Sequence, residues 1–127
     1  MKRVWLETRD AIAFQAEQIA LFGGQPGVRD AGMLESAMAR PRNRAAYGKS
    51  SVFRLAAAYA FGIARDHPFI DGNKRTALVC AFTFLELNGW EVSAPEPEAV
   101  MAFMALADGT LGENALADWL KRHCTER

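Results

Sequence analysis

Ser51 to Gly72 reads SVFRLAAAYAFGIARDHPFIDG, and Asn73 to Gly89 continues NKRTALVCAFTFLELNG. Ser50 or Ser51 can cap a helix that runs to about Asp66. Its apolar positions, Phe53, Leu55, Ala57, Tyr59, Ala60 and Ile63, leave almost no polar face. A helix that is apolar nearly all round belongs in the middle of a structure. Pro68 and Gly72 interrupt the pattern, and a second apolar helix follows over Asn73–Asn88. Leu78, Phe82 and Leu85 lie on one side of it, with Ala77, Ala81 and Phe84 beside them, and Gly89 supplies the stop. Two buried helices joined by a short connection predict an all-α fold with the other helices packed around this pair.

Working outward, Ile12, Ala16, Ile19 and Ala20 share one face of an N-terminal helix that Gly23-Gly24 ends. Gly27-Val28-Arg29-Asp30 is a loop whose Asp30 caps a short helix with Met33, Leu34, Ala37 and Met38 as its apolar face. Pro41 ends that helix, and the polar, small residues 42–50 read as a loop. Trp90-Glu91-Val92 alternates, which admits a very short strand paired with Val4-Trp5-Leu6. Pro97 suits the first turn of a helix faced by Val100, Phe103, Met104 and Ala107, and Leu116, Trp119 and Leu120 face the last one. The prediction is about six helices around two central buried ones, with a very short β-pair. With 127 residues and no repeat, linker or low-complexity tract, the chain reads as a single domain over 1–127.

Hydrophobic residues make up 50% of the chain, too many for a disordered one. Fifteen basic and fifteen acidic side chains cancel, so direct nucleic-acid binding is not expected and any anion site must be local. Cys80 and Cys124 are too few for a disulfide framework, which fits a reducing cytoplasm. Met1-Lys2-Arg3 is basic, but Glu7, Arg9 and Asp10 interrupt any signal-peptide core. No run of about 20 apolar residues is present to span a bilayer, so a soluble, cytoplasmic protein with no membrane partner is expected.

A connection between two buried helices has no need of charge. This one carries an imidazole, a carboxylate, a glycine, an amide, an ammonium and a guanidinium between His67 and Arg75. Gly72 lets the backbone approach a ligand closely. The N–H groups that follow it open the second central helix. They lack partners within the helix, and with its dipole they form an anion site. Lys74 and Arg75 add positive charge at that same end, where cations disfavour a helix. A bound phosphate would resolve the conflict. Asp71 is a hard oxygen ligand suited to Mg²⁺ shared with phosphate oxygens. His67 has a reference pKa of about 6.5 and can take a proton from a hydroxyl. Base, metal ligand, phosphate cradle and charge clamp are what a phosphoryl- or nucleotidyl-transfer site needs.

Taken singly, each residue has an ordinary structural explanation. A histidine after a helix is more often a cap or a surface group, Asp-Gly-Asn is a common turn, and Lys-Arg commonly forms a solvated face. Pro68 stiffens the loop, and Phe69 and Ile70 are expected to wedge into the core. The combination carries the functional reading. A zinc site from His67, Cys80, His123 and Cys124 matches no common ligand spacing, and no Gly-x-Ser-x-Gly elbow supports a serine hydrolase.

HPFIDGNKR, from His67 to Arg75, resembles the signature motif of the Fic/Doc family. FGGQPGVRD at 22–30, GMLESA at 32–37 and Arg40-Pro41 resemble the N-terminal half of its Doc toxins, and LELNG at 85–89 resembles the stretch after the motif. The resemblance implies an all-helical Fic fold and an ATP-dependent transferase using Mg²⁺. It implies His67 as general base and Asp71 on the metal. It also places Gly72, Asn73 and the loop backbone on phosphates, with Arg75 clamping their charge.

Two departures bear on the reaction. Fic adenylyltransferases usually have Gly in place of Lys74 and a second Arg in place of Leu78. Lys74 crowds the phosphate cradle, and both features resemble the Doc branch, which transfers the terminal phosphoryl group. Lys74 therefore joins the catalytic and phosphate-binding candidates. Arg65, where Doc toxins often carry a basic residue, is a further phosphate-binding candidate. The resemblance implies the kinase toxin of a toxin–antitoxin pair, with elongation factor Tu as target. It also implies a Phd-type antitoxin that inhibits in trans through a segment folding as a helix in a groove. The alternatives are a Fic-type adenylyltransferase acting on another protein and a non-catalytic antitoxin-binding module.

Overall fold

The computed structural model describes residues 2–127; Met1, the first residue of the basic start, lies outside the described residues. The chain runs α1 (Thr8–Phe22), α2 (Ala31–Ala46), α3 (Val52–Asp66), α4 (Asn73–Leu87), β1 (Trp90–Val92), α5 (Glu96–Asp108), α6 (Glu113–Arg122) and β2 (Cys124–Glu126). The all-α fold with a short β-pair is the fold observed.

The α3 and α4 helices sit at the centre. α3 packs against α2, α4, α5 and α6, and α4 packs against α1, α3 and α5. Eleven of the fifteen α3 residues are buried, so this helix has almost no solvent face. Ser51 caps it by accepting from the Arg54 N–H at 3.1 Å. Its run of alanines and Gly62 brings neighbouring backbones close. A Cβ added at Gly62 would lie 2.9 Å from Cα and Cβ of Ala37 on α2, so only glycine fits that crossing. Tyr59 is the polar member of the core. Its hydroxyl accepts from the Leu6 N–H at 3.0 Å and donates to the Leu6 carbonyl at 3.3 Å, and burial pushes its pKa up to about 12.

The structure corrects five of the helix and strand assignments and faces read from the sequence. First, α2 continues through Pro41 to Ala46, so residues 42–46 are helical. Arg40 and Arg44, one turn apart on either side of the proline, both pair with Glu113, at 2.6 and 2.9 Å, and this anchors the helix on both sides of Pro41. Second, the buried face of α1 is Ala11, Gln15 and Ile19, while Ile12, Ala16 and Ala20 are exposed. A buried polar residue displaces the expected stripe. Third, β1 pairs antiparallel with β2 rather than with Val4-Trp5-Leu6. Val4 is held instead by the Asn88 side chain, which accepts from its N–H at 2.8 Å and donates to its carbonyl at 3.0 Å. Fourth, α5 is turned so that Ala99, Ala102, Phe103 and Leu106 are buried and Met104 is exposed. Small alanines admit closer helix packing than Val100 and Met104 would. Fifth, Met33 on α2 is exposed, whereas Leu34, Ala37 and Met38 are buried as expected.

Candidate active site

The connection between α3 and α4 is laid against the α1–α2 loop, residues 23–30. The Pro68 carbonyl accepts from the N–H groups of Arg29, at 2.7 Å, and Asp30, at 3.0 Å. The Ile70 N–H donates to the Gly27 carbonyl at 3.0 Å, and Val28 and Phe69 form an isolated antiparallel bridge. This strand-like stretch sends successive side chains to opposite sides. Phe69 therefore enters the core while Ile70 stays 46% exposed, which corrects the expectation that both wedge inward.

Gln15 completes the support. Its side-chain N–H donates to the carbonyls of Asp71, at 3.0 Å, and Gln25, at 3.3 Å, and its oxygen accepts from the Gly27 N–H at 3.2 Å. A buried amide is stable only when so paired. Reading Gln15 as polar moves the predicted α1 face by one position. The signal that could have found it is its register with Ala11 and Ile19, four residues to either side.

His67 ends α3 in the left-handed conformation, φ 51° and ψ 56°, and is exposed. Asp71 is also exposed; one carboxylate oxygen accepts from the Gln25 N–H at 2.7 Å. Gly72 starts α4 with φ +74°, and a Cβ there would lie 3.2 Å from Cδ1 of Ile19, so its glycine has a structural reason as well. Asn73 is buried. Its side chain accepts from the Phe69 N–H and donates to the Phe69 carbonyl, both at 3.0 Å, so the amide closes the loop on itself. Among the described residues, no oxygen accepts from the N–H groups of Asn73, Lys74 and Arg75. These three leave free donors at the start of α4, of the kind that can hold an anion.

Lys74 is exposed, and Arg75 lies with its guanidinium carbon 3.7 Å from the centre of the Phe22 ring. Phe22, at the end of α1, is a further residue of the site, one that its sequence pattern does not mark. Asp108 stands near Lys74. Its carboxyl is held below the usual range by the Thr110 hydroxyl and N–H, and more weakly by the Lys74 charge.

A cavity of about 380 Å³ is lined by Phe22, Gly23, His67, Ile70, Asp71, Gly72, Asn73, Lys74 and Arg75. Six of the seven sequence candidates therefore share one cavity. Arg65 is the exception. Its guanidinium lies over Phe61, 5.1 Å from the ring centre, and faces Gly109 instead. A larger cavity, about 550 Å³, lies along α2 and the segment to α3 and contains Arg40, Arg44 and Lys49. It gathers no imidazole, and Glu113 already pairs with both arginines, so the reactive groups sit in the smaller cavity. The zinc arrangement does not form. Cys80 is buried and its thiol is pushed up by that burial, Cys124 is pushed up to about 11 by its own, and no three His, Cys, Asp or Glu side chains cluster among the described residues.

The Fic/DOC family model matches residues 5–85. The chain is 36% identical over 118 residues to the "Protein kinase doc" of Escherichia phage P1, covering 92% of this chain and 93% of that protein. It is 47% identical over 76 residues to the "Toxin Doc" of Mycolicibacterium smegmatis, covering 58% of each.

Proposed function

We propose, from the fact that the chain belongs to the Fic/Doc family, that it is the toxin of a toxin–antitoxin pair and a protein kinase. It would transfer the γ-phosphoryl group of ATP to a hydroxyl of a translation factor, with elongation factor Tu as the proposed target. The observation that carries this reading is the single cavity shared by His67, Asp71 and the three unpaired N–H groups that open α4.

In this mechanism His67 takes the proton of the acceptor hydroxyl. The hydroxyl oxygen bonds to the γ-phosphorus as the bond from phosphorus to the bridging oxygen breaks, and ADP leaves with that electron pair. The N–H groups of Asn73, Lys74 and Arg75, with the Lys74 and Arg75 side chains, face the charge on the phosphate oxygens. Asp71 fits a Mg²⁺ ion shared with phosphates, since such ions need only one or two carboxylates. Bound there, the ion would neutralise phosphate charge.

The kinase reading is favoured over adenylyl transfer by Lys74 in the cavity wall and by Leu78, which stands in an apolar trough beside Arg75 rather than supplying a second guanidinium. That trough, about 310 Å³, is walled by Leu21, Phe22, Leu78, Phe82 and Val100 and suits the apolar face of a helix from a Phd-type antitoxin. Cytoplasmic action is part of the proposal. Among the described residues no helix is long and apolar enough to cross a membrane.

The test is incubation with elongation factor Tu and ATP labelled at either the α- or the γ-position. Label arriving only from the γ-position is expected; label from the α-position would make the chain an adenylyltransferase. Arg75→Ala should slow transfer by roughly a hundred- to thousandfold, the usual effect of losing one donor to developing charge. Single-turnover rates check this, and an unchanged rate would show that Arg75 stays on Phe22 throughout.

A further inference from the structure

We infer that Arg29 is the positioning residue of this site: from the α1–α2 loop it holds the end of α3 so that His67 keeps its left-handed backbone and faces the cavity. The inference rests on the reading of His67 as general base. His67 is the only non-glycine residue with positive φ among the described residues. Glycine and asparagine are the usual occupants of that conformation at a helix end. The next residue is Pro68, which has no N–H with which to close back on the last carbonyls of α3. Pro68 therefore cannot help cap the helix.

Arg29 does so from outside. Its Nε donates to the His67 carbonyl at 2.6 Å, and its Nη2 donates to the Asp66 carbonyl at 2.9 Å. Its own backbone N–H donates to the Pro68 carbonyl at 2.7 Å. One residue thus binds three consecutive carbonyls, those of 66, 67 and 68. The guanidinium fork matches two adjacent acceptors, and its charge lies at the helix end that favours a cation. A lysine offers a point charge without the fork. Arg29 is not part of the cavity wall, so its route to the reaction runs through His67.

Arg29→Met keeps an unbranched apolar stem and removes the donors; Arg29→Lys keeps the charge. With ATP and elongation factor Tu, Arg29→Met should lower kcat by about ten- to a hundredfold, the scale of a small misplacement of a catalytic group, with KM for ATP unchanged. Arg29→Lys should recover only part of the loss, and it stands in if the methionine variant does not fold. In a His67→Ala background, Arg29→Met should cost nothing further. A raised KM with unchanged kcat, or an equal loss in both backgrounds, would overturn the inference. If the parent transfers no phosphoryl group to elongation factor Tu, it is the proposed kinase function that has failed. Crystal structures of parent and Arg29→Met then decide the inference separately. Departure of His67 from positive φ supports it, and retention of the same backbone overturns it.

Discussion

His67→Ala should leave a folded protein whose phosphoryl transfer is about a hundred- to ten-thousandfold slower, the usual contribution of a positioned general base. The imidazole is exposed, and it is the main chain of His67 that its neighbours hold, through the bond from Arg29 to its carbonyl. The substitution therefore removes the imidazole without opening a cavity. Alanine tolerates φ near +51° poorly, so a modest loss of stability of about 1 kcal/mol is expected with it. His67→Asn is the control, because asparagine accepts that conformation and supplies no comparable base. Both variants should lose transfer, while only the alanine variant should melt lower. If His67→Ala retains transfer, or is as toxic as the parent on expression, catalysis by this residue is excluded. A collapse of the fold in both variants would show that the side chain serves structure.

The fold was legible where side-chain pattern and burial agree. The apolar girth of α3 and α4 placed them at the centre, and the burial of eleven α3 residues follows from the same composition. Asp30 and Ser51 act as helix caps because a short oxygen-bearing side chain before an apolar run has few other uses. The reading failed where tertiary contacts outweigh local preference. Pro41 stays within α2 because Glu113, over seventy positions away in sequence, holds an arginine on each side of it. β1 takes its partner from the C-terminus, and nothing in a three-residue alternation specifies which strand will pair.

The candidate site was legible for a different reason. Its reactive groups lie within one short segment, so chemistry and spacing could be read together. Arg65 lies outside that segment, and α3 carries it to Phe61, where it is not part of the cavity wall. What could not be read is the support from elsewhere in the chain. Gln15 and Arg29 bind mainly main-chain atoms, which have the same chemistry at every position. No pattern in a single sequence marks which carbonyl a distant amide or guanidinium will reach.

Asn73 joins these two levels, and Asn73→Ala is the sharpest test of how. Its family resemblance points to phosphate, yet its side chain spends both hydrogen-bonding groups on Phe69, whose side chain is buried in the core. Removing the amide leaves the Phe69 N–H and carbonyl without those partners. Two orphaned buried groups should together cost about 2–4 kcal/mol. For a chain of this size that is a fall in Tm of roughly 10 °C. Transfer should fall as well, because the same two bonds set the loop between His67 and the first turn of α4. Asn73→Asp separates the effects. Its carboxylate can still accept from the Phe69 N–H but opposes the Phe69 carbonyl, and it adds negative charge beside the open N–H groups. Thermal melting and single-turnover transfer on both variants decide between the roles. A large loss of transfer with an unchanged Tm would mean that Asn73 acts on phosphate directly. A fall in both would mean that the site depends on Asn73 chiefly through the loop it closes.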